Sequence, residues 1–140
     1  MSELDLTIVR VIPAARKAVF EAWLDPKALS RFMTPGPGMS VPEASSDARE
    51  GGQFRIVMKM GEKELPHTGE YKTVDRYETL AFTWNSIHSH NTLVTLTFVE
   101  LSPNETELTL HHEGFPNEEM RNNHQGGWTA IVEQLARVLG

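Results

Sequence analysis

At 140 residues the chain is long enough for one sizeable core, and without cysteine it excludes disulfides, thiolate metal sites and a cysteine nucleophile. A net charge of −6, with no basic run, argues against nucleic acid and against anionic membrane surfaces as partners. With 39% apolar and 23% charged residues the composition is that of an ordinary globule, and residues 1–140 are expected to form one domain.

The first residues, Met1-Ser2-Glu3-Leu4-Asp5, lack the basic start and apolar run of a secretory signal. No stretch approaches the roughly 18 apolar residues of a membrane span. A cytoplasmic protein with no membrane insertion is therefore expected. Asn104-Glu105-Thr106 matches a glycosylation acceptor but reads as a turn in that setting.

In chain order, Leu4, Leu6, Ile8, Arg10 and Ile12 alternate with Asp5, Thr7, Val9 and Val11, which predicts a first strand. Pro13 ends it. Residues 14–24 predict a helix with Ala15, Val19, Phe20 and Trp23 on one side. Asp25-Pro26 stops it, because the residue before proline is pushed out of helical conformation. Residues 27–32 fit one more short helix. The run 34–38, Thr-Pro-Gly-Pro-Gly, is a loop.

Strands dominate the middle. A short one covers 39–44, and a polar connection over 45–50 leads to Gly51-Gly52. Residues 53–60 place Phe54, Ile56, Met58 and Met60 on one face. After a turn at 61–63, the next strand is expected over 67–74. Leu80, Phe82 and Trp84 share a face, then a polar loop spans 86–91. Val94, Leu96 and Phe98 share a face, as do Leu108, Leu110 and His112 beyond a turn at 102–105. Strands with one apolar face fit an antiparallel sheet covered on one side.

Residues 117–139 close the chain with a helical pattern. Asn117 suits an N-cap, and Glu118 and Glu119 suit the positive end of a helix dipole. Met120, His124, Trp128, Ile131, Leu135 and Leu139 recur in steps of three and four. Such a helix is about 35 Å long at roughly 1.5 Å per residue. Gly126 and Gly127 oppose it by roughly 1 kcal/mol each. Close backbone approach to a sheet or burial of Trp128 would compensate, and a kink at the glycine pair is the alternative. Helices at the ends of a run of strands argue for an α+β fold.

Several segments stand out in order: the 13–23 run from Pro13 to Trp23, Asp25-Pro26, the 29–35 segment and Gly51-Gly52-Gln53-Phe54-Arg55. Gly69-Glu70-Tyr71, Leu80-Ala81-Phe82-Thr83-Trp84, the 108–115 run and Gly127-Trp128 complete the set. Together they resemble the SRPBCC (START-like, birch-pollen-allergen-like) superfamily. More narrowly, they resemble the branch related to the C-terminal domain of the activator of heat-shock-protein-90 ATPase. Relatives often carry tryptophan where this chain has Phe32. The resemblance implies a helix-grip fold, in which a curved antiparallel sheet wraps a long C-terminal helix around a cavity. It does not imply one activity, since carriers, receptors, cyclases and co-chaperone domains share the fold.

The candidate ligand-binding set follows from that fold and the strand alternation: Phe54, Ile56, Met58, Phe82, Trp84, Leu96, Phe98 and Leu110 from the sheet, with Trp128 and Ile131 from the helix. Phe32, Tyr71, His112 and His124 join it. Methionine and aromatic side chains suit an adaptable apolar pocket, and they equally suit a filled core. A histidine there can orient a ligand or move a proton, or simply be satisfied by hydrogen bonds. His88 and His90 lie two apart in a loop, and His111 and His112 point to opposite faces of a strand, so no metal site is expected. No nucleophile elbow, phosphate loop or dinucleotide fingerprint is present.

The leading expectation is binding of a small apolar molecule between sheet and helix, with no cofactor. Substitution of Leu110 by tryptophan is expected to fill that space and spare the fold. An enzyme of polyketide-cyclase or hydrolase type using His112 and His124 is the alternative, and a co-chaperone-like interaction module is a third reading. A homodimer stays open, since nothing in the sequence specifies an interface.

Overall fold

The computed structural model describes residues 4–34, 36, 38–86 and 91–139. These residues form seven strands and three helices. The strands are β1 (Asp5–Ile12), β2 (Met39–Ser46), β3 (Gln53–Met60), β4 (Lys63–Asp75), β5 (Thr79–Trp84), β6 (Thr92–Ser102) and β7 (Glu105–Glu113). Helices α1 (Arg16–Ala22) and α2 (Pro26–Phe32) lie between β1 and β2, and α3 (Glu118–Leu139) ends the chain. The sheet order is β1-β7-β6-β5-β4-β3-β2, with every neighbouring pair antiparallel. The sheet curls into a half-barrel around α3, an α+β helix-grip fold. No helix among the described residues is long and apolar enough to cross a membrane.

Alternation places the core. Leu6 and Ile12 of β1 are buried while Val9 and Val11 face out. Apart from Met60, the inward apolar residues of β3, β5, β6 and β7 are buried, and Trp128, Ile131, Val132 and Leu135 of α3 meet them. Phe20 of α1 lies 5.0 Å from Phe98, and Phe32 of α2 stacks edge-on against Trp23 at 4.9 Å. Ala15 departs from its expected place on the apolar side of α1. It holds an extended conformation as the N-cap and is exposed, because the helix begins one residue later. Asp25 caps α2 by accepting from the Lys27 N–H at 3.0 Å, with Pro26 in the first turn.

Two strands run further than the sequence suggests. β2 continues to Ser46, and β4 begins at Lys63 rather than 67. Pro66 reads as a strand breaker, yet it lies where β4 pairs with β3 only. Pairing with β5 starts at the Thr68–Asn85 bridge. Proline is tolerated where one side of a strand carries no ladder. Met60, expected inside, is 53% exposed because β3 passes beyond the core into the Gly61-Glu62 turn.

Gly69 decides how the sheet meets the aromatic cluster. A Cβ at that position would sit 1.9 Å from the Thr83 carbonyl oxygen and 2.5 Å from the Phe54 ring. Without one, β4 approaches β5 closely and Phe54 lies across the gap. Its ring then reaches Tyr71 (5.4 Å), Phe82 (5.3 Å) and Trp84 (6.0 Å).

Helix α3 is continuous from Glu118 to Leu139, through Gly126-Gly127. Asn117 Oδ1 accepts from the Met120 N–H at 2.9 Å and caps it. Nothing lies within 4 Å of a Cβ built on Gly126, so close approach does not explain that glycine. Burial of Trp128 two residues later anchors the helix instead. Arg121 donates to the Asp5 carbonyl at 2.7 Å, and Arg10 pairs with Glu133 at 2.7 Å, tying α3 to β1 at both of those points.

Candidate functional site

The seam between α3 and the sheet holds a chain of buried hydrogen bonds. β7 carries His112 inward, in phase with Leu108 and Leu110, and β6 brings Thr92 beside it. Trp128 Nε1–H donates to His112 Nδ1 at 2.9 Å. An indole nitrogen only donates, so Nδ1 is the acceptor and the proton sits on Nε2. Nε2–H then donates to Thr92 Oγ1 at 2.8 Å, and the Thr92 hydroxyl donates to the Trp84 carbonyl at 2.8 Å. Burial pushes His112 down from 6.5 to about 3, and the neighbouring His124 and His111 act in the same direction. His112 is therefore a neutral histidine with both nitrogens used inside the protein. The arrangement leaves it no nitrogen for a ligand or a proton transfer, contrary to the expectation that it fixes a ligand's polar group.

Beside this chain a cleft of about 260 Å³ opens between α3 and the β3–β4–β5 region. Met58, Leu65, Trp84, Trp128 and Ile131 form its apolar walls; His67, Asn123, His124 and Gly127 complete it. Trp84 is its central surface, packed against His67 at 4.9 Å with a 31° tilt and against Trp128 at 4.9 Å. His67 Nδ1 bonds the Leu65 carbonyl at 2.9 Å, and His124 Nδ1 bonds the Met120 carbonyl at 2.8 Å. A carbonyl only accepts, so Nδ1 carries a proton in both rings and their orientations are set by main chain. The cleft can hold a flat apolar body between aromatic walls with two oriented imidazoles at its edge.

Behind Trp84 lies a second, interior cavity of only about 10 Å³, near the space of one water molecule. Trp23, Leu29, Met33, Phe54, Ile56, Tyr71, Phe82 and Trp84 line it. The space enclosed by the sheet and the α1–α2 segment is thus nearly filled by rings, and the larger of these two spaces is the cleft between the sheet and α3. The Tyr71 hydroxyl is pushed up to about 12 by burial, with a Ser46 hydrogen bond opposing and Asp47 reinforcing the rise.

The structure divides the expected site residues. Phe54, Ile56, Tyr71 and Phe82 line the interior cavity; Met58, His124, Trp128 and Ile131 line the cleft; Trp84 lines both. Phe32, Leu96, Phe98, Leu110 and His112 are buried and line neither space. Leu65 lies outside the strand expected over 67–74 and His67 is its first residue; the period-two pattern read back from Tyr71 through Gly69 reaches both. Trp23, Leu29 and Met33 come from α1, α2 and the residues that follow them, and no local pattern marks them as cavity walls. His111 points to the opposite face from His112, with Nδ1 3.0 Å from the Thr7 hydroxyl. His88 and His90 lie outside the described residues. Among the described residues no three His, Asp or Glu side chains gather to hold a metal.

Solved structures share this architecture over nearly the whole chain. Protein CV1439 from Chromobacterium violaceum is 25% identical with a TM-score of 0.87, covering 96% of both chains. The AHSA1 (SPO3351) protein from Silicibacter pomeroyi is 26% identical with a TM-score of 0.83, covering 96% of both. Protein Ms6760 from Mycobacterium smegmatis is 19% identical with a TM-score of 0.81, covering 97% of this chain and 90% of that one, a likeness of fold. No curated protein matches the chain. Residues 13–140 match the model of the family described as Activator of Hsp90 ATPase homolog 1-like protein. The chain belongs to that family.

Proposed function

We propose that the protein binds a small, flat, largely apolar molecule in the cleft between α3 and the sheet. The observation that carries this reading is the cleft itself: about 260 Å³, walled by two indoles packed at a tilt and edged by two imidazoles held by main-chain carbonyls. That volume lies just below the range typical of drug-sized ligand pockets, which suits a molecule of one or two rings. Trp84 and Trp128 supply rigid contact surface, and Met58 supplies adaptable surface. His112 is committed to Trp128 and Thr92, so its chemistry does not favour an enzyme built on it.

The test is titration with 2-ethylnaphthalene, followed by quenching of tryptophan fluorescence and by native mass spectrometry. Leu65→Trp places bulk in the cleft from a half-buried strand position. Saturable one-to-one binding by the parent, weakened at least tenfold in the folded variant, is expected. Equal affinity of the two proteins would move the site elsewhere.

A further inference from the structure

Three indoles stand side by side at the seam, with Trp128 lying 4.9 Å from Trp84 and 6.3 Å from Trp23. All three are buried. Their N–H groups differ in one respect. Trp128 donates to His112, whereas the N–H groups of Trp23 and Trp84 are buried with no acceptor among the described residues. A buried donor without an acceptor loses its hydration and gains nothing in return, which makes such groups uncommon in folded proteins. Here two of them belong to rings that line one interior cavity.

The remaining walls of that cavity narrow the chemistry. Leu29, Met33, Phe54, Ile56 and Phe82 are apolar, and the Tyr71 hydroxyl is engaged with Ser46. No Lys, Arg or His lines it, so a carboxylate or phosphate would bring an uncompensated charge into a dry site. The space matches a single oxygen atom. A carbonyl oxygen has two lone pairs and can accept from two donors. Trp84 is also the shared wall between this cavity and the cleft. Its indole N–H makes no hydrogen bond among the described residues, so no polar contact ties that nitrogen in place.

We infer that the molecule held in the cleft carries a neutral carbonyl oxygen on its apolar body, and that Trp84 and Trp23 are the donors that receive it. This rests on the cleft reading above and names the ligand class: a flat, uncharged ketone or related carbonyl compound. The two indoles are specificity-determining, because a hydrocarbon of the same shape satisfies neither donor.

The experiment compares 2-acetylnaphthalene with 2-ethylnaphthalene on the same protein, labelled with 15N. The chain has three tryptophans, so three indole N–H signals report on the site, assigned with Trp23→Phe and Trp84→Phe. The ketone is expected to bind about three- to tenfold more tightly, the range of one net hydrogen bond. The Trp84 and Trp23 signals should move downfield with the ketone and not with the hydrocarbon, while Trp128 keeps its His112-bonded position. In Trp84→Phe, or in Trp23→Phe if the first fails to fold, the preference for the ketone should shrink toward unity. Equal binding of both probes would overturn this inference and leave the cleft reading standing. So would Trp23 and Trp84 signals that show contact with bound water in the free protein and keep it with ketone present. Binding of neither probe would overturn both.

Discussion

The indole N–H of Trp128 meets Nδ1 of His112 at 2.9 Å, joining α3 to β7 at the centre of the seam. The bond requires the neutral imidazole, and burial holds His112 near 3 rather than 6.5. In the unfolded chain the same ring takes a proton below about pH 6.5. Between about 6.5 and 3 the unfolded state therefore binds one more proton than the folded state. Stability falls as pH falls through that window, by about 1.4 kcal/mol per pH unit from this group. His112→Gln keeps an amide oxygen for Trp128 and an amide donor for Thr92 but does not titrate. Urea unfolding at pH 7, 6 and 5 should show a slope shallower by about that amount in the variant, and an unaltered slope would rule out His112 as its source.

Two glycines make opposite predictions. Gly69→Ala forces a Cβ against the Thr83 carbonyl and the Phe54 ring and should cost about 3 kcal/mol, at the upper end of overpacking effects. Gly126→Ala, on an exposed turn of α3 with nothing near the new Cβ, should gain roughly 0.5–1 kcal/mol. Denaturation midpoints of the two variants give the signs directly. A stabilised Gly69→Ala would contradict the close approach of β4 and β5.

Placement of bulk separates core from cleft. Leu110 is fully buried and lines neither space, so Leu110→Trp should destabilise the fold by about 1–3 kcal/mol, not spare it as an open cavity at that position implies. Leu65→Trp, half-buried at the cleft, should change stability by less than about 0.5 kcal/mol. Thermal melts of both variants check the contrast.

Tyr71 should remain protonated far into alkali. Of the two tyrosines in the chain, this one is held at about 12, above its ordinary 10. The folded state keeps a proton that the unfolded state releases, so stability from this group is present below about pH 10 and is lost as pH rises toward 12. Absorbance titration near 295 nm should lose its most alkaline step in Tyr71→Phe.

The inward faces of β3, β5, β6 and β7 were legible because a strand's side chains alternate, and that period survives in the linear order of residues. The cap of α3 at Asn117 was legible for the same kind of reason: one side chain reaches three residues along the same chain. The start of β4 at Lys63 was not legible, since the cost of Pro66 in a strand depends on which neighbouring strand is present, and only the sheet order states that. The family was readable from motifs spread in order along the chain, and the matching of residues 13–140 agrees with it.

What the chain could not announce is how its rings fill space. His112 and Trp128 were both placed facing inward, but their bond to each other and to Thr92 depends on three elements meeting at one point. The same holds for the indoles: Trp23 from the end of α1, Trp84 from β5 and Trp128 from α3 close the interior and leave the open volume at its edge. Periodicity, caps and turns act over a few residues and are written in the sequence. Cavity shape and the partner of each polar atom are set by packing between residues far apart in the chain, and these only the tertiary structure decided.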